Sequence, residues 1–168
     1  MNLSKPRPAF FIAEYSRFNG SQRSLLQLIR TLKDRGLDTL TLFPGDGICV
    51  ERYVAAGVPV EIVPGPPIAH RFGQDLLRIS RTKQARILAE ILPYGAELTR
   101  RLLATRRNIL HLNTARATLL AGIVPKLAGF PVVLHVRGEL GVFGAFQREV
   151  VANIADRLIL VAHSLMSE

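Results

Sequence analysis

The chain has a single cysteine, Cys49. That excludes an intramolecular disulfide and a cysteine-rich metal site, and it suits a reducing compartment. Cys49 has no partner that would make it a nucleophile and reads as an inert, partly buried thiol. The histidines, His70, His111, His135 and His163, fall in different segments without ligand spacing, so no metal site is expected. No apolar run reaches the ~18 residues of a membrane span. The run after Met-Asn-Leu-Ser-Lys-Pro-Arg-Pro is too brief for a signal peptide. There is no Gly-x-Gly-x-x-Gly after the first strand, no Walker A lysine and no Gly-x-Ser-x-Gly elbow. Nor is there a nucleic-acid recognition motif or an aromatic stacking platform, so no nucleic-acid partner is expected in spite of the basic charge.

What is present is an apolar, periodic chain of one domain's length, 168 residues with 48% hydrophobic content. Disorder is excluded on that ground. The formal net charge is +9, and arginine far outnumbers lysine. Nine basic and three acidic residues fall between Arg71 and Arg107, which places +6 of the charge there. Such a face attracts anionic lipid head groups or phosphorylated substrates. The plainer reading is a solvated helix face.

The periodicity predicts strands at Ala9–Ala13, Thr39–Phe43, Val58–Val63, Asn108–Leu112, Pro131–Val136 and Arg157–Val161. Helices are predicted at Ser21–Arg35, Ile48–Ala56, Phe72–Leu92, Ala96–Thr105 and Ala115–Ala128, with another between strands five and six. Asn19 or Ser21 can cap the first helix, and Gly36 sits where it stops. The third and fourth helices are broken or kinked at Pro93-Tyr94-Gly95, and Pro125 can kink the fifth. Near-continuous apolar strands alternating with helices mean a parallel sheet covered on both faces. The expected fold is α/β, a Rossmann-like doubly wound parallel sheet of about six strands in the order 3-2-1-4-5-6. Residues 1–168 read as one domain. A further helix opens after strand six and is cut short, as though the chain once continued.

In such sheets ligands bind outside the carboxyl ends of the strands. The stretch Asn108 to Glu139 places polar groups there twice. Asn113 and Thr114 end strand four and can hydrogen-bond a sugar, or simply cap the next helix. His135-Val-Arg-Gly-Glu139 ends strand five, and alternation puts His135 and Arg137 on one side. Histidine can act as a base or hydrogen-bond partner, and arginine can clamp a phosphate or carboxylate. Glu139 can orient either or be the base itself. The alternative is a buried His–Glu or Arg–Glu pair that stiffens the loop. Asn19-Gly20-Ser21 opens the first helix, where free N–H groups favour an anion, or forms an ordinary capped turn. His111 reads as a packed strand histidine.

Several segments together resemble a known family. They are Asn19-Gly20-Ser21-Gln22-Arg23, Phe-Pro-Gly-Asp-Gly followed by Ala-Ala-Gly-Val-Pro-Val-Glu-Ile-Val-Pro, His-Leu-Asn-Thr, Leu-Ala-Gly-Phe-Pro-Val-Val-Leu-His-Val-Arg-Gly, and Ala-Asp-Arg-Leu-Ile-Leu-Val. Their order and spacing, from about residue 8 to 165, resemble the N-terminal domain of a GT-B glycosyltransferase of the family 4 type. The resemblance implies a retaining transferase that moves a sugar from a nucleotide-sugar donor to an acceptor. It implies that this domain holds the acceptor and that a C-terminal domain, joined in cis or trans, binds the donor. No two glutamates here have that domain's Glu-x7-Glu spacing. The implied catalytic residues are His135, Arg137 and Glu139. The implied substrate-binding residues are Asn19, Gly20, Ser21, Asn113, Thr114 and Gly138. Two departures stand out. The family's first-loop Gly-Gly is Asn19-Gly20 here, and Arg137 stands where a histidine is common.

Family members often act on lipid-linked or phosphorylated acceptors at membranes. A basic face of Arg78, Arg81, Lys83 and Arg86 would suit a cytoplasmic protein peripheral to the inner membrane face. The domain itself is expected to bind no cofactor. The alternatives are a non-catalytic acceptor-binding or membrane-recruiting subunit, and a stand-alone Rossmann-like domain that binds a nucleotide or anion.

Overall fold

The computed structural model describes residues 5–67, 81–137 and 153–160. The described elements are β1 (Pro8–Phe11), α1 (Gly20–Asp34), β2 (Leu40–Phe43), α2 (Ile48–Ala55), β3 (Val60–Ile62) and α3 (Arg81–Ala104). They continue with β4 (Ile109–Leu112), α4 (Ala115–Ala117), a π-helical turn (Thr118–Gly122), α5 (Ile123–Leu127), β5 (Val132–Val136) and β6 (Arg157–Leu160). The strands form one sheet in the order β3-β2-β1-β4-β5-β6, and every pair is parallel. This is the doubly wound Rossmann-like α/β sheet that the apolar strand pattern requires. Strand bounds differ from the sequence reading by one or two residues, the usual fraying of element ends.

Side-chain alternation along each strand divides the core in two. Phe10, Ile12 and Phe43 pack with Leu25 and Ile29 of α1 and Cys49, Val50 and Tyr53 of α2. On the other face, Ala9, Phe11, Leu42, Leu110, Leu112, Val132, Leu134 and Val136 pack with Ile91, Tyr94, Leu98 and Leu102 of α3 and with the π-turn residues. Each large side chain buried this way contributes about 1.5–3 kcal/mol. Right-handed crossovers explain the division. Strands laid leftward from β1 carry their helices on one face, and strands laid rightward carry them on the other. The same alternation turns His111 and His135 away from the larger core, onto the face that α1 shares.

The helices entering β2, β3, β4 and β5 end alike. After α1, Gly36 N–H donates to Lys33 O at 2.8 Å and Leu37 N–H to Leu32 O at 3.0 Å, a Schellman closure. Gly57 and Gly129 close α2 and α5 in the same left-handed conformation. After α3 the residue in that place is Arg106, at φ 53°.

Two helix expectations need correction. The break at Pro93-Tyr94-Gly95 does not occur, because α3 runs unbroken from Arg81 to Ala104. Pro93 is exposed, while Ile91, Tyr94, Leu98 and Leu102 form a continuous buried stripe that holds the helix together across it. The helix after β4 is not uniform either. Its irregularity is the buried π-turn Thr118–Gly122, ahead of Pro125 rather than at it. Pro125 has no N–H for the carbonyl four residues back, and that carbonyl, on Ala121, lies inside the wide turn.

Two stability tests follow from this packing. Arg106→Gly should stabilise the fold by about 0.5–1 kcal/mol in urea melts, because glycine adopts the left-handed position without strain. Gly95→Ala should do the opposite. A β-carbon there would meet Val124 Cγ2 at 2.7 Å and Cβ at 2.9 Å, and a β-branched side chain cannot swing aside. Overpacking of this kind costs about 1–3 kcal/mol. Adding Val124→Ala should recover part of the Gly95→Ala loss, and strictly additive effects would contradict the contact.

Candidate functional site

The order of the sheet reverses between β1 and β4, and in open parallel sheets ligands bind at that reversal, beyond the carboxyl ends. Three chain segments reach it: the β1–α1 loop with the start of α1, Asn113 after β4, and Arg137 after β5. Alternation places Asn113 with His111, and Arg137 with His135, all on the α1 side.

Arg137 ties the segments together. Its Nε–H donates to Asn113 Oδ1 at 2.9 Å, and one terminal nitrogen donates to Ser24 Oγ on α1. The other terminal nitrogen lies 3.0 Å from His135 Nδ1. A guanidinium has donors only, so His135 Nδ1 must be the accepting lone pair and the ring proton sits on Nε2. Burial, then the neighbouring Arg137 charge, pulls the His135 pKa down to about 4. His135 is therefore neutral at pH 7. It presents Nε2–H as a donor, and its basic nitrogen is occupied. Of the roles open to it from sequence, base or hydrogen-bond partner, this geometry suits the second.

His111 lies deeper. Its ring packs 5.0 Å from Phe10 and edge-on to His135 at 5.7 Å. Burial, with the charges of His135 and Arg137, brings its pKa down to about 3. It is packed, as its place in the strand suggests, but among the described residues neither ring nitrogen has a hydrogen-bond partner, and neither does Asn113 Nδ2. Orphaned polar atoms this well buried are uncommon. These three lie behind one cationic group at the mouth of the sheet, while others, on Thr39, Thr41, Tyr94, Arg107 and Thr118, lie elsewhere.

The start of α1 departs from expectation in detail. Asn19 occupies the N-cap position, but its side chain makes no capping bond. The Ser21 hydroxyl lies 2.9 Å from Asn19 Oδ1 and 2.8 Å from Gln22 Oε1, and its one proton serves one of them at a time. The helix N–H groups are thus not sealed by Asn19. A β-carbon built on Gly20 meets nothing within 4 Å, so the space beside it is open. Thr114 does cap, with its hydroxyl accepting from Ala117 N–H at 3.4 Å. Several supporting residues carried no sequence signal of their own. Ser24 is one turn beyond the Asn19-Gly20-Ser21 motif and became visible only through Arg137. Tyr53 is fully buried and donates to Gln22 O at 2.8 Å, which holds α2 to α1. Tyr15 lies so close over the β2–α2 turn that a β-carbon on Gly45 would come within 2.8 Å of its ring.

Cys49 is buried, with Sγ 2.7 Å from Arg17 O, and burial raises its pKa to about 11. Such a thiol stays protonated at neutral pH. Among the described residues no group of acidic, histidine or cysteine side chains could hold a metal. Gly138, Glu139 and Arg78 lie outside the described residues. Of the basic face, Arg86 is the member whose side chain is described; it is exposed and 3.9 Å from Glu90. Arg100 and Arg101 pair with Glu97, and Arg107 with Asp38. Much of the basic segment that is described is therefore locally neutralised. No described helix is long and apolar enough to cross a membrane.

The histidines make stability depend on pH with a definite sign. Both have folded pKa values below the ordinary 6.5, so the unfolded chain takes up more protons as pH falls. Stability is fully present above pH 6.5 and is lost as pH drops toward about 4 for His135 and about 3 for His111. For the buried His111 the loss between about pH 6.5 and pH 5 is about 2 kcal/mol. Urea melts at pH 7 and pH 5 measure it. His111→Leu should flatten the slope, and an unchanged slope would remove His111 as its source.

No protein-family model and no curated protein sequence matches the chain. Solved structures do. HepE of Anabaena, in complex with UDP and glucose, is 18% identical with a TM-score of 0.68, over 96% of this chain and 40% of that one. MurG of Acinetobacter baumannii is 14% identical with a TM-score of 0.60, over 92% of this chain and 41% of that one. The glycosyltransferase SnogD from Streptomyces nogalater is 13% identical with a TM-score of 0.54, over 95% of this chain and 46% of that one. The chain thus spans less than half the length of each of these proteins. With its all-parallel 3-2-1-4-5-6 sheet, it has a GT-B glycosyltransferase-like, Rossmann-type fold.

Proposed function

We propose that the chain is the acceptor-binding half of a retaining glycosyltransferase. In this reading the bond between the donor's anomeric carbon and its phosphate oxygen breaks. A bond from the anomeric carbon to an acceptor hydroxyl oxygen forms, the nucleotide leaves, and the hydroxyl proton passes to a base. The supporting observation is the cluster of Asn113, His135, Arg137 and Ser24 at the carboxyl edge, beside the reversal of strand order. It stands in a fold shared with HepE, whose structure contains UDP and glucose.

Each residue has a role suited to its state. Neutral His135 donates from Nε2 to a sugar hydroxyl or to oxygen where negative charge develops. Arg137, fixed by three acceptors, presents its positive charge to the acceptor beside it. Glu139 is the proton acceptor in this scheme. Asn19, Gly20, Ser21, Asn113, Thr114 and Gly138 contact the acceptor sugar. The donor nucleotide belongs to a C-terminal domain joined in cis or trans, and this half binds no cofactor of its own.

The acceptor in this proposal is lipid-linked or phosphorylated, and the protein works peripherally at the cytoplasmic membrane face. Exposed Leu88, Leu92 and Leu103 on α3, the helix that carries Arg86, support such a contact. Arg78, Arg81 and Lys83 would extend its basic side.

Calorimetric titration of the chain with UDP separates this reading from a stand-alone nucleotide-binding domain. An acceptor half should bind UDP with a Kd weaker than about 1 mM. Binding near about 1 μM would favour the stand-alone domain.

A further inference from the structure

Arg137 is held differently from the other buttressed arginines. Arg7 and Arg107 close on Asp38, Arg100 and Arg101 on Glu97, and Arg86 faces Glu90. Each of these has a carboxylate. Arg137 has an amide oxygen, a hydroxyl oxygen and an imidazole nitrogen, all neutral. Among the described residues no carboxylate comes within ion-pair distance of it. The nearest acidic group of the first loop, Glu14, hydrogen-bonds to Ser16 instead.

Its environment makes that arrangement consequential. The side chain is half-buried, where a charge without a counter-ion is disfavoured. Three neutral acceptors fix where the guanidinium points, and no described residue compensates its charge. They use three of its five N–H groups, so two remain. Next to it, Asn113 Nδ2 is a second donor with no acceptor, on a residue only 1% exposed. Behind it, neutral His111 has one ring N–H and one ring lone pair without a partner among the described residues, on a residue 5% exposed. The cluster carries a positive charge, and its free N–H groups outnumber its free acceptors. It is built to an orientation, at the switch point of the sheet, beside the open space at Gly20.

A structural arginine would be expected to meet a carboxylate or main-chain carbonyls, as those elsewhere in this fold do. A group oriented by neutral partners alone complements an oxyanion from outside the chain, because an oxyanion accepts paired N–H bonds from the fork and supplies the missing charge. We propose that Arg137 anchors the oxyanion, carboxylate or phosphate, of an acidic sugar acceptor. This deepens the acceptor-binding reading above and rests on it. Asn113 and Ser24 act as positioning residues that aim the guanidinium, and His135 completes the clamp through Nδ1 while offering Nε2–H to the sugar.

The test is a titration of the whole chain followed by NMR of the His111 and His135 ring Cε1–H signals and the Arg137 Nε–H signal. The probes are glucuronate, glucose 6-phosphate, glucose and inorganic phosphate. One of the acidic sugars should move these signals and bind about tenfold or more tightly than glucose. Stronger binding of glucuronate would identify a carboxylate acceptor, and stronger binding of glucose 6-phosphate a phosphorylated one. Arg137→Gln should abolish the preference. Arg137→Lys keeps the charge but loses the fork, and should weaken acidic-sugar binding about tenfold. It serves as the deciding variant if Arg137→Gln does not fold, with a thermal melt as the control. If glucose binds as tightly as the acidic sugars, or Arg137→Lys changes nothing, the proposal is overturned. If inorganic phosphate binds as tightly as glucose 6-phosphate, the anion anchor stands and the sugar-acceptor reading of this edge falls.

Discussion

Every strand of this sheet runs in the same direction, and the site depends on that constraint. Parallel strands cannot be joined by a tight turn, so each connection must cross the sheet and return. All carboxyl ends are thereby collected on one edge. Ser24 and Arg137 are 113 positions apart in sequence and meet through a hydrogen bond there. The strand order reverses between β1 and β4, and among the described residues no crossover helix connects those two strands directly at that edge. Polar residues at the ends of β4 and β5, and at the start of α1, can face that edge without disturbing either core.

The two edges of the sheet handle charge in opposite ways. At the amino edge Arg7 and Arg107 converge on Asp38, whose carboxyl is held below its ordinary range chiefly by the hydrogen bonds from Arg107 and Arg7. That carboxylate is well exposed, and exposed pairs of this kind add little stability. The fold is held instead by the two apolar layers. At the carboxyl edge Arg137 is given neutral partners and both histidines are kept uncharged. A polar cluster whose charge is left open tends to be less stable than a closed one, and such compromises concentrate at binding sites.

Much of the fold was legible in the residues. The runs at Phe10–Ile12, Leu110–Leu112 and Val132–Val136, apolar but for His111 and His135, read as strands because burial on both faces leaves few polar positions. Gly36 marked the end of α1 because glycine closes a helix at positive φ without strain. The failures were of one kind. Pro93 looked like a break from local rules, but the stripe of Ile91, Tyr94, Leu98 and Leu102 is bound to a sheet that local rules do not see. Asn19 looked like a cap, but its side chain lies with Ser21 instead. Ser24 carries no signal of its own, because nothing adjacent in sequence distinguishes it from any exposed helix serine.

The sequence by itself determined which segments are strands, that they run parallel, and that Asn113, His135 and Arg137 fall at or near carboxyl ends. Those conclusions follow from periodicity and hydrophobicity, which are local properties of the chain. The tertiary structure alone decided what these groups are chemically. That His135 is a neutral Nε2–H donor and that, among the described residues, Arg137 has neutral acceptors and no carboxylate and the buried His111 ring has no hydrogen bond, all depend on distances between different strands and helices. Burial and neighbouring charge set a protonation state, and neither exists until the sheet has brought distant segments together.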